Sequence, residues 1–316
     1  MISGDIKAAA ALLARGEVVA IPTETVYGLA GNIFDEKAVR SIYSIKGRPH
    51  FNPLIVHIPS VERLSSVAAY IPPDALKLAR RFWPGPLTLV LPKQDVIPNL
   101  VTGGKDTVAV RVPDHPVALA LLNSIDFPLA APSANPFGSL SPTRAEHVEA
   151  GLGNKVPLIL DGGACQKGIE STIIGFVEDR PVVYRLGSIS LEDIESVIGP
   201  VGLFNKQESG PPAPGMLDKH YSPNTPLIVC NDPWAEWEKH DPSVTALLVL
   251  QCEEGRPEVK QVALSGSGDL EEAARNLFDK LHEMDTMGLQ LIIAERMPEV
   301  GMGRSINDRL ERAAKD

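Results

Sequence analysis

Two short polar clusters hold the residues best suited to chemistry. Pro22-Thr23-Glu24-Thr25 and Lys46-Gly47-Arg48-Pro49, the latter running on to Asn52-Pro53, each adjoin an apolar run short enough to be a buried strand. The second puts two cations in a loop stiffened by proline, with Asn52 just beyond. Fixed ammonium and guanidinium groups neutralise oxyanions through charge-assisted hydrogen bonds, so the pair suits a polyphosphate. It equally suits a solvated helix end whose cations offset the helix dipole. Ser133-Ala134-Asn135, with Ser141, supplies small donors in a Pro/Gly-bounded loop that either approach phosphate or ribose or build ordinary turns. Arg111 lies inside the apolar run TVAVRVP, where a cation must meet a ligand carboxylate or a buried acid. His57 within LIVHI fits a satisfied core histidine, and Glu170-Ser171-Thr172 reads as a turn whose hydroxyls cap a strand. There is no G-x-S-x-G elbow, no HExxH, and GGKDT at 103–107 is not a Walker loop.

These residues need elements to hold them. Asp5 to Arg15 reads as an Ala/Leu-rich helix stopped at Gly16, followed by a first strand at Val18–Ile21. Asp35 caps a second helix with Ala38, Ile42 and Ile45 on one face, which leaves Lys46 and Arg48 in the loop before a strand at Leu54–Ile58. Helical patterns occupy 60–70 and 74–82. Strands are expected at 86–91, 107–112 and 129–131, with a helix at 116–125. A helix from about Arg144 and a strand at 158–160 come next. Strands 172–177 and 182–186 then form a hairpin, which makes the sheet mixed. Ser190 caps a closing helix, with Asp193 three residues on. The stretch GPPAPGMLDKHYSP breaks the pattern, although Met216, Leu217, His220 and Tyr221 give it more to pack with than an inert spacer needs. Beyond it lie strands at 226–230, 245–250 and 290–294, a helix at 269–285 and a last helix starting at a capped Ser305. The expected domains are 1–198, a linker 199–223 and 224–316.

A chain of 316 residues with 44 % hydrophobic and 22 % charged content describes a globular protein of one large or two ordinary domains. The N-terminus lacks a basic leader and no apolar run is long enough to span a bilayer, so a cytoplasmic location is expected. Cys165, Cys230 and Cys252 are too scattered for a disulfide framework or a metal site. Residues 1–200 hold 18 Lys and Arg against 20 Asp and Glu, whereas 201–316 hold 12 against 20, so most of the net charge of −10 lies toward the C-terminus. That excludes nonspecific nucleic-acid binding by the whole-chain field but leaves room for a basic cleft.

The clusters in order (PTETVYGLAG, SIKGRPHFNPLIVHI, FWPGPLTLVL, DTVAVRVPDHP, APSANPFG, DGGACQKGIESTI, PGMLDKHYSP and GMGRSINDRL) resemble the threonylcarbamoyl-AMP synthases of the YrdC-like superfamily, in their long two-domain form. The resemblance spans nearly the whole chain. It implies an α/β fold, a YrdC-like twisted mixed sheet with flanking helices and a concave basic cleft, plus a smaller Rossmann-like C-terminal domain. It also implies synthesis of L-threonylcarbamoyladenylate from L-threonine, bicarbonate and ATP with release of pyrophosphate, as a step of tRNA threonylcarbamoyladenosine modification. Lys46, Arg48, Ser133 and Asn135 would carry catalysis. Thr25, His57, Arg111, Ala131 and Ser171 would surround threonine, and Arg48, Asn52, Thr107, Ser133, Ser141, Arg185 and Tyr221 would hold ATP. Mg2+ would bridge the phosphates without a dedicated protein site. The downstream tRNA threonylcarbamoyl-transferase machinery would take the product. The competing reading is an RNA-binding module that recognises tRNA or double-stranded RNA by shape through the same cations.

Overall fold

Two β-sheets, one mixed and one parallel, divide the chain. The structure, a computed structural model, describes residues 1–204, 220–256 and 258–315. The larger sheet has eleven strands in the spatial order Ile2–Ser3, Ile159–Leu160, Val19–Ile21, Gly28–Asn32, Leu129–Ala130, Ile55–His57, Thr107–Arg111, Leu87–Pro92, Thr172–Val177, Arg180–Arg185 and Gly202–Leu203. Parallel and antiparallel pairs alternate irregularly along it, as a mixed sheet requires. The smaller sheet runs Leu227–Cys230, Leu291–Glu295, Thr245–Val249, Gln261–Ala263, all parallel. Its central strand Thr245–Val249 is buried throughout, the pattern of a parallel strand covered on both faces.

Local chemistry explains how the site-bearing elements start and stop. The Asp35 carboxylate accepts from the amides of Lys37 and Ala38 and opens the helix Glu36–Lys46. Gly47, at φ 64°, closes it in the left-handed conformation that a side chain disfavours. Lys46 is therefore the last helical residue rather than a loop residue. In the larger sheet His57 stands opposite Arg111 and Ile55 opposite Ala109, so side chains two apart on these strands share one face. An isolated bridge between Gly28 and Ser133 lays the S-x-N loop across the neighbouring strand.

The main core, including Tyr27, Ile42, Tyr43, Leu54, Leu89 and Val110, lies between the larger sheet and its helices. A second core gathers Leu248, Leu277, Phe278, Ile292 and Ile306 with Val26, Leu140, Ile169 and Tyr221, so apolar packing runs across from the smaller unit onto loops of the larger one. At this seam Gly168 lies so near the backbone of Arg275 that a Cβ would clash with its carbonyl oxygen. Ion pairs Arg144–Asp279 (2.6 Å) and Arg304–Glu192 (2.6 Å) flank it.

Several expectations are corrected. The strands Ile2–Ser3, Gly28–Asn32, Gly202–Leu203 and Gln261–Ala263 were not legible: three are very short, and GLAGN carries two glycines that weaken its β signal. Gly31 exists for packing, since its Cβ would meet Ile42 Cδ1 at 3.1 Å. The 60–70 segment is a 3-10 run, Val61–Ser66. The last helix begins at Met302, and Ser305 lies inside it with its hydroxyl donating to Gly187 O (2.9 Å) instead of capping. Residues 202–203 of the expected linker extend the larger sheet beside Arg180–Arg185. Met216 and Leu217 lie outside the described residues.

Candidate active site

A cavity of about 560 Å3 opens where the helix end at Lys46, the S-x-N loop and the strands bearing His57 and Arg111 converge. Thr25, Arg48, His57, Arg111, Ala131, Ser133, Ser171, Arg185 and Tyr221 all line it. The structure thus brings together residues separated by up to 196 positions in the chain. Lys46, Asn52, Asn135, Ser141 and Thr107 are not among its lining residues. Most of these five hold the lining in place.

Arg48 is buried, with Nη2 donating to Asn52 Oδ1 (2.6 Å) and Pro53 O (2.8 Å) and Nε to Asn52 O (3.2 Å). Asn52 is thereby the rest on which Arg48 lies, and among the described residues its own buried Nδ2 has no partner. Lys46 Nζ donates to the carbonyls of Ser133 and Asn135, both at 2.5 Å, while Phe137 N returns a bond to Lys46 O. The S-x-N loop is therefore moulded on the end of the helix. Ser141 Oγ donates to Glu170 Oε1 (2.5 Å), and Arg185 donates through Nε and Nη2 to Ser171 O (3.2 and 2.9 Å). Thr107 shares the Arg111 face of its strand but starts it, about 13 Å away at the usual rise per residue.

Arg111 resolves one of the alternatives. Its Nη2 stands 2.7 Å from Glu24 Oε1, both side chains being 5 % exposed or less, and Nη1 donates to Thr25 Oγ1 at 2.8 Å. A buried acid is thus its partner within the chain. The contact is charge against charge without an aligned N–H, and Arg111 Nη2 and both Glu24 oxygens keep unused hydrogen-bonding capacity. His57 Nδ1 lies 3.2 Å from Ile55 O, and burial, then Arg111, lower its pKa from 6.5 to about 3, so the ring is neutral.

Sequence reasoning gave Thr23 and Glu170 no individual role in the site, and missed Thr88 and Arg309 altogether. Thr23 lines the cavity and donates to Val26 O (2.7 Å), and Thr88 Oγ1 shares a hydrogen bond with Ser171 Oγ (2.7 Å). A threonine in the otherwise apolar run PLTLVL was the available signal for Thr88. Glu170 is an acid in the lining, and Arg309 reaches it from the last helix with no local sequence mark.

Residues 11–187 match the family described as "Telomere recombination" (Sua5, YciO and YrdC), and residues 189–315 match "Threonylcarbamoyl-AMP synthase, C-terminal domain". Over 98 % of its length the chain is 45 % identical to the threonylcarbamoyl-AMP synthase of Pyrococcus abyssi, covering 94 % of that protein. The chain belongs to the threonylcarbamoyl-AMP synthase family. The Bacillus subtilis threonylcarbamoyl-AMP synthase is 43 % identical, with 98 % of this chain and 92 % of that one covered. The crystal structure of P. abyssi Sua5 complexed with L-threonine superposes with a TM-score of 0.89 at 42 % identity, covering 98 % of this chain and 94 % of that one. Escherichia coli YciO, at 27 % identity and a TM-score of 0.52, covers 58 % of this chain and 88 % of its own.

In this threonylcarbamoyl-AMP synthase family member the balance of charge at the cavity is uneven. Lys46, Arg48 and Arg185 are all buried, yet among the described residues none has a carboxylate within ion-pair distance. Burial, and next the Arg48 charge, push the Lys46 ammonium well below its ordinary pKa, and burial brings Arg48 down to about 10. The same cations add to burial in lowering His220. Buried cations without anions are costly unless a ligand supplies the charge. Among the described residues no group of three or more His, Cys, Asp or Glu is arranged to hold a metal, and no helix is long and apolar enough to cross a membrane.

Proposed function

We propose that this chain joins L-threonine, bicarbonate and ATP into L-threonylcarbamoyladenylate and pyrophosphate within this cavity, as a threonylcarbamoyl-AMP synthase. The carrying observation is the cluster of buried cations Lys46, Arg48 and Arg185: among the described residues none has a carboxylate within ion-pair distance, and Glu170, whose charge Arg185 also feels, is already paired with Arg309, so the cluster suits an oligoanion. Together they make the cleft basic although the surrounding chain is nearly neutral.

The chemistry needs little from the protein beyond placement. Threonine's amine takes up bicarbonate-derived CO2 as a carbamate. A carbamate oxygen then attacks the α-phosphorus and the bond to pyrophosphate breaks. Several anions must be held together for this, and positioning with charge neutralisation is what fixed cations supply. Thr25, His57, Arg111, Ser171 and the backbone of Ala131 surround threonine in this reading, with its carboxylate toward the Arg111 guanidinium. The hydroxyl-lined wall selects threonine over valine because an apolar analogue would leave those groups unpaired. Arg48, Asn52, Thr107, Ser133, Ser141, Arg185 and Tyr221 form the ATP side, and Lys46 and Asn135 fix the loop that meets the phosphates. Mg2+ arrives on ATP and spreads the phosphate charge; Glu170, the acid in the lining, already has its oxygens engaged by Ser141 and Arg309.

Residues 1–198 form the catalytic domain in this scheme, 199–223 the linker, of which 205–219 lie outside the described residues, and 224–316 the C-terminal domain. The adenylate then passes to the tRNA threonylcarbamoyl-transferase machinery. Incubation with ATP, Mg2+, bicarbonate and each of threonine, serine and valine, with products identified by mass, tests the assignment. Threonine should yield the adenylate in excess. Salt-sensitive binding of tRNA without any ATP turnover would instead favour the RNA-binding reading.

A further inference from the structure

Arg309 sits in the last helix, Met302–Ala313, far along the chain from every residue that lines the cavity except His220 and Tyr221. Its side chain is 1 % exposed. Nε donates to Glu170 Oε2 at 2.8 Å and Nη2 to Leu186 O at 2.8 Å, while Nη1 pairs with Asp308 at 2.6 Å. The guanidinium carbon lies 4.9 Å from the centre of the Tyr221 ring, the geometry of a cation–π contact. Both of its targets, Glu170 and Tyr221, line the cavity, and Arg309 itself does not.

Each target is held in a state that needs explaining. Tyr221 has φ 67°, a left-handed backbone that a bulky side chain adopts only under constraint. Its ring packs against Phe278 (5.6 Å between centres) as well as Arg309, and among the described residues its buried hydroxyl has no hydrogen-bond partner. Glu170 is buried between Arg309 and Arg185; the two cations outweigh its desolvation, and the carboxyl is kept below its ordinary pKa. The helix that presents Arg309 is itself fastened to the larger unit by Ser305 to Gly187 O and by Arg304 to Glu192.

We infer that Arg309 is a positioning residue through which the C-terminal unit fixes Tyr221 and neutralises Glu170 at the nucleotide side of the cavity. Without it, Tyr221 loses the backing of its ring, and a bare carboxylate faces the position where phosphates must lie. Among the described residues Arg309 makes no hydrogen bond to Thr25, His57, Arg111 or Ser171, and only Ser171, held by Arg185 beside Glu170, lies near its targets, so the effect falls mainly on one substrate. The inference rests on the proposed placement of ATP.

The test compares wild type with Arg309→Met, Arg309→Lys and the double variant Glu170→Gln/Arg309→Met in threonine-dependent pyrophosphate release. The double variant removes the carboxylate that Arg309→Met would strand, and decides the matter if the single variant does not fold. The KM for ATP should rise about tenfold or more in Arg309→Met and by a smaller factor in the double variant, where only the backing of Tyr221 is lost, with the KM for threonine within about twofold. Arg309→Lys, which keeps the charge and loses the planar stack, should recover part of the loss. Equal losses for both substrates, or an unchanged KM for ATP in a folded double variant, would overturn the inference. If wild type releases no pyrophosphate, the functional reading fails separately. Calorimetric ATP binding to wild type and double variant then decides Arg309 by itself, a ratio near one counting against it.

Discussion

Arg48 holds its guanidinium with three bonds to Asn52 and Pro53, so its direction is set before any ligand arrives. Removing a preorganised charge-stabilising group costs about 10²–10³ in rate, and Arg48→Ala should show that loss in threonine-dependent pyrophosphate release. Lys46→Ala should lose a similar factor, because the carbonyls of Ser133 and Asn135 would also lose their donor. Wild-type rates in both variants would remove the phosphate assignment. Arg48→Lys should recover little, since one ammonium cannot reproduce a fork that reaches a side-chain and two backbone oxygens. At the threonine end, Glu24→Gln strands the buried Arg111 cation and should cost about 3 kcal/mol or more in urea unfolding. A loss under 1 kcal/mol would mean that Thr25 and Gly85 O suffice to hold Arg111.

Between elements, close backbone approach matters more than side-chain identity. Gly168, at φ 71°, meets the carbonyl of Arg275 in the helix Leu270–Asp285, and that helix also carries Phe278 against Tyr221. Gly168→Ala combines left-handed strain with a clash against backbone that has nowhere to go. It should destabilise by about 2–4 kcal/mol in chemical denaturation. Gly47→Ala is the control: it is left-handed (φ 64°, ψ 28°) but has open space around the added carbon, so only about 1 kcal/mol is expected. Similar losses for the two would show that the seam yields to an added methyl. The rings of His147 and His282 stack across the same seam at 3.9 Å, one from each unit.

Acid should act on the molecule as a whole through its buried histidines. Burial lowers His57 to about 3 and His147 to about 4, and also depresses His115, His220 and His282, all from about 6.5. Between the folded and unfolded values the unfolded chain binds more protons, so stability rises with pH across that window. The contribution is complete above about pH 6.5 and is lost as pH falls toward 4. Thermal midpoints should therefore be level from pH 7 to 8 and drop steadily below 6.5, with His147 and His282 repelling each other once charged. A midpoint constant down to pH 4.5 would mean that these rings stay hydrated in the folded protein.

The sequence by itself determined most of the helices, the mixed character of the sheet and the small α/β C-terminal part. Those features are written locally: Asp35 and Gly47 bound a helix, and period-2 runs mark strands. Roles within the site were not local. Only the tertiary structure decided that Arg111 meets Glu24, that Lys46 and Asn52 hold up the lining instead of forming it, and that Arg309 reaches Glu170 across 139 positions. A side chain's partner depends on which distant strands become neighbours, and the cost of an unpaired buried charge is assessed only once burial exists. The same reason hides GLAGN, whose glycines look like a loop until a helix packs onto Gly31.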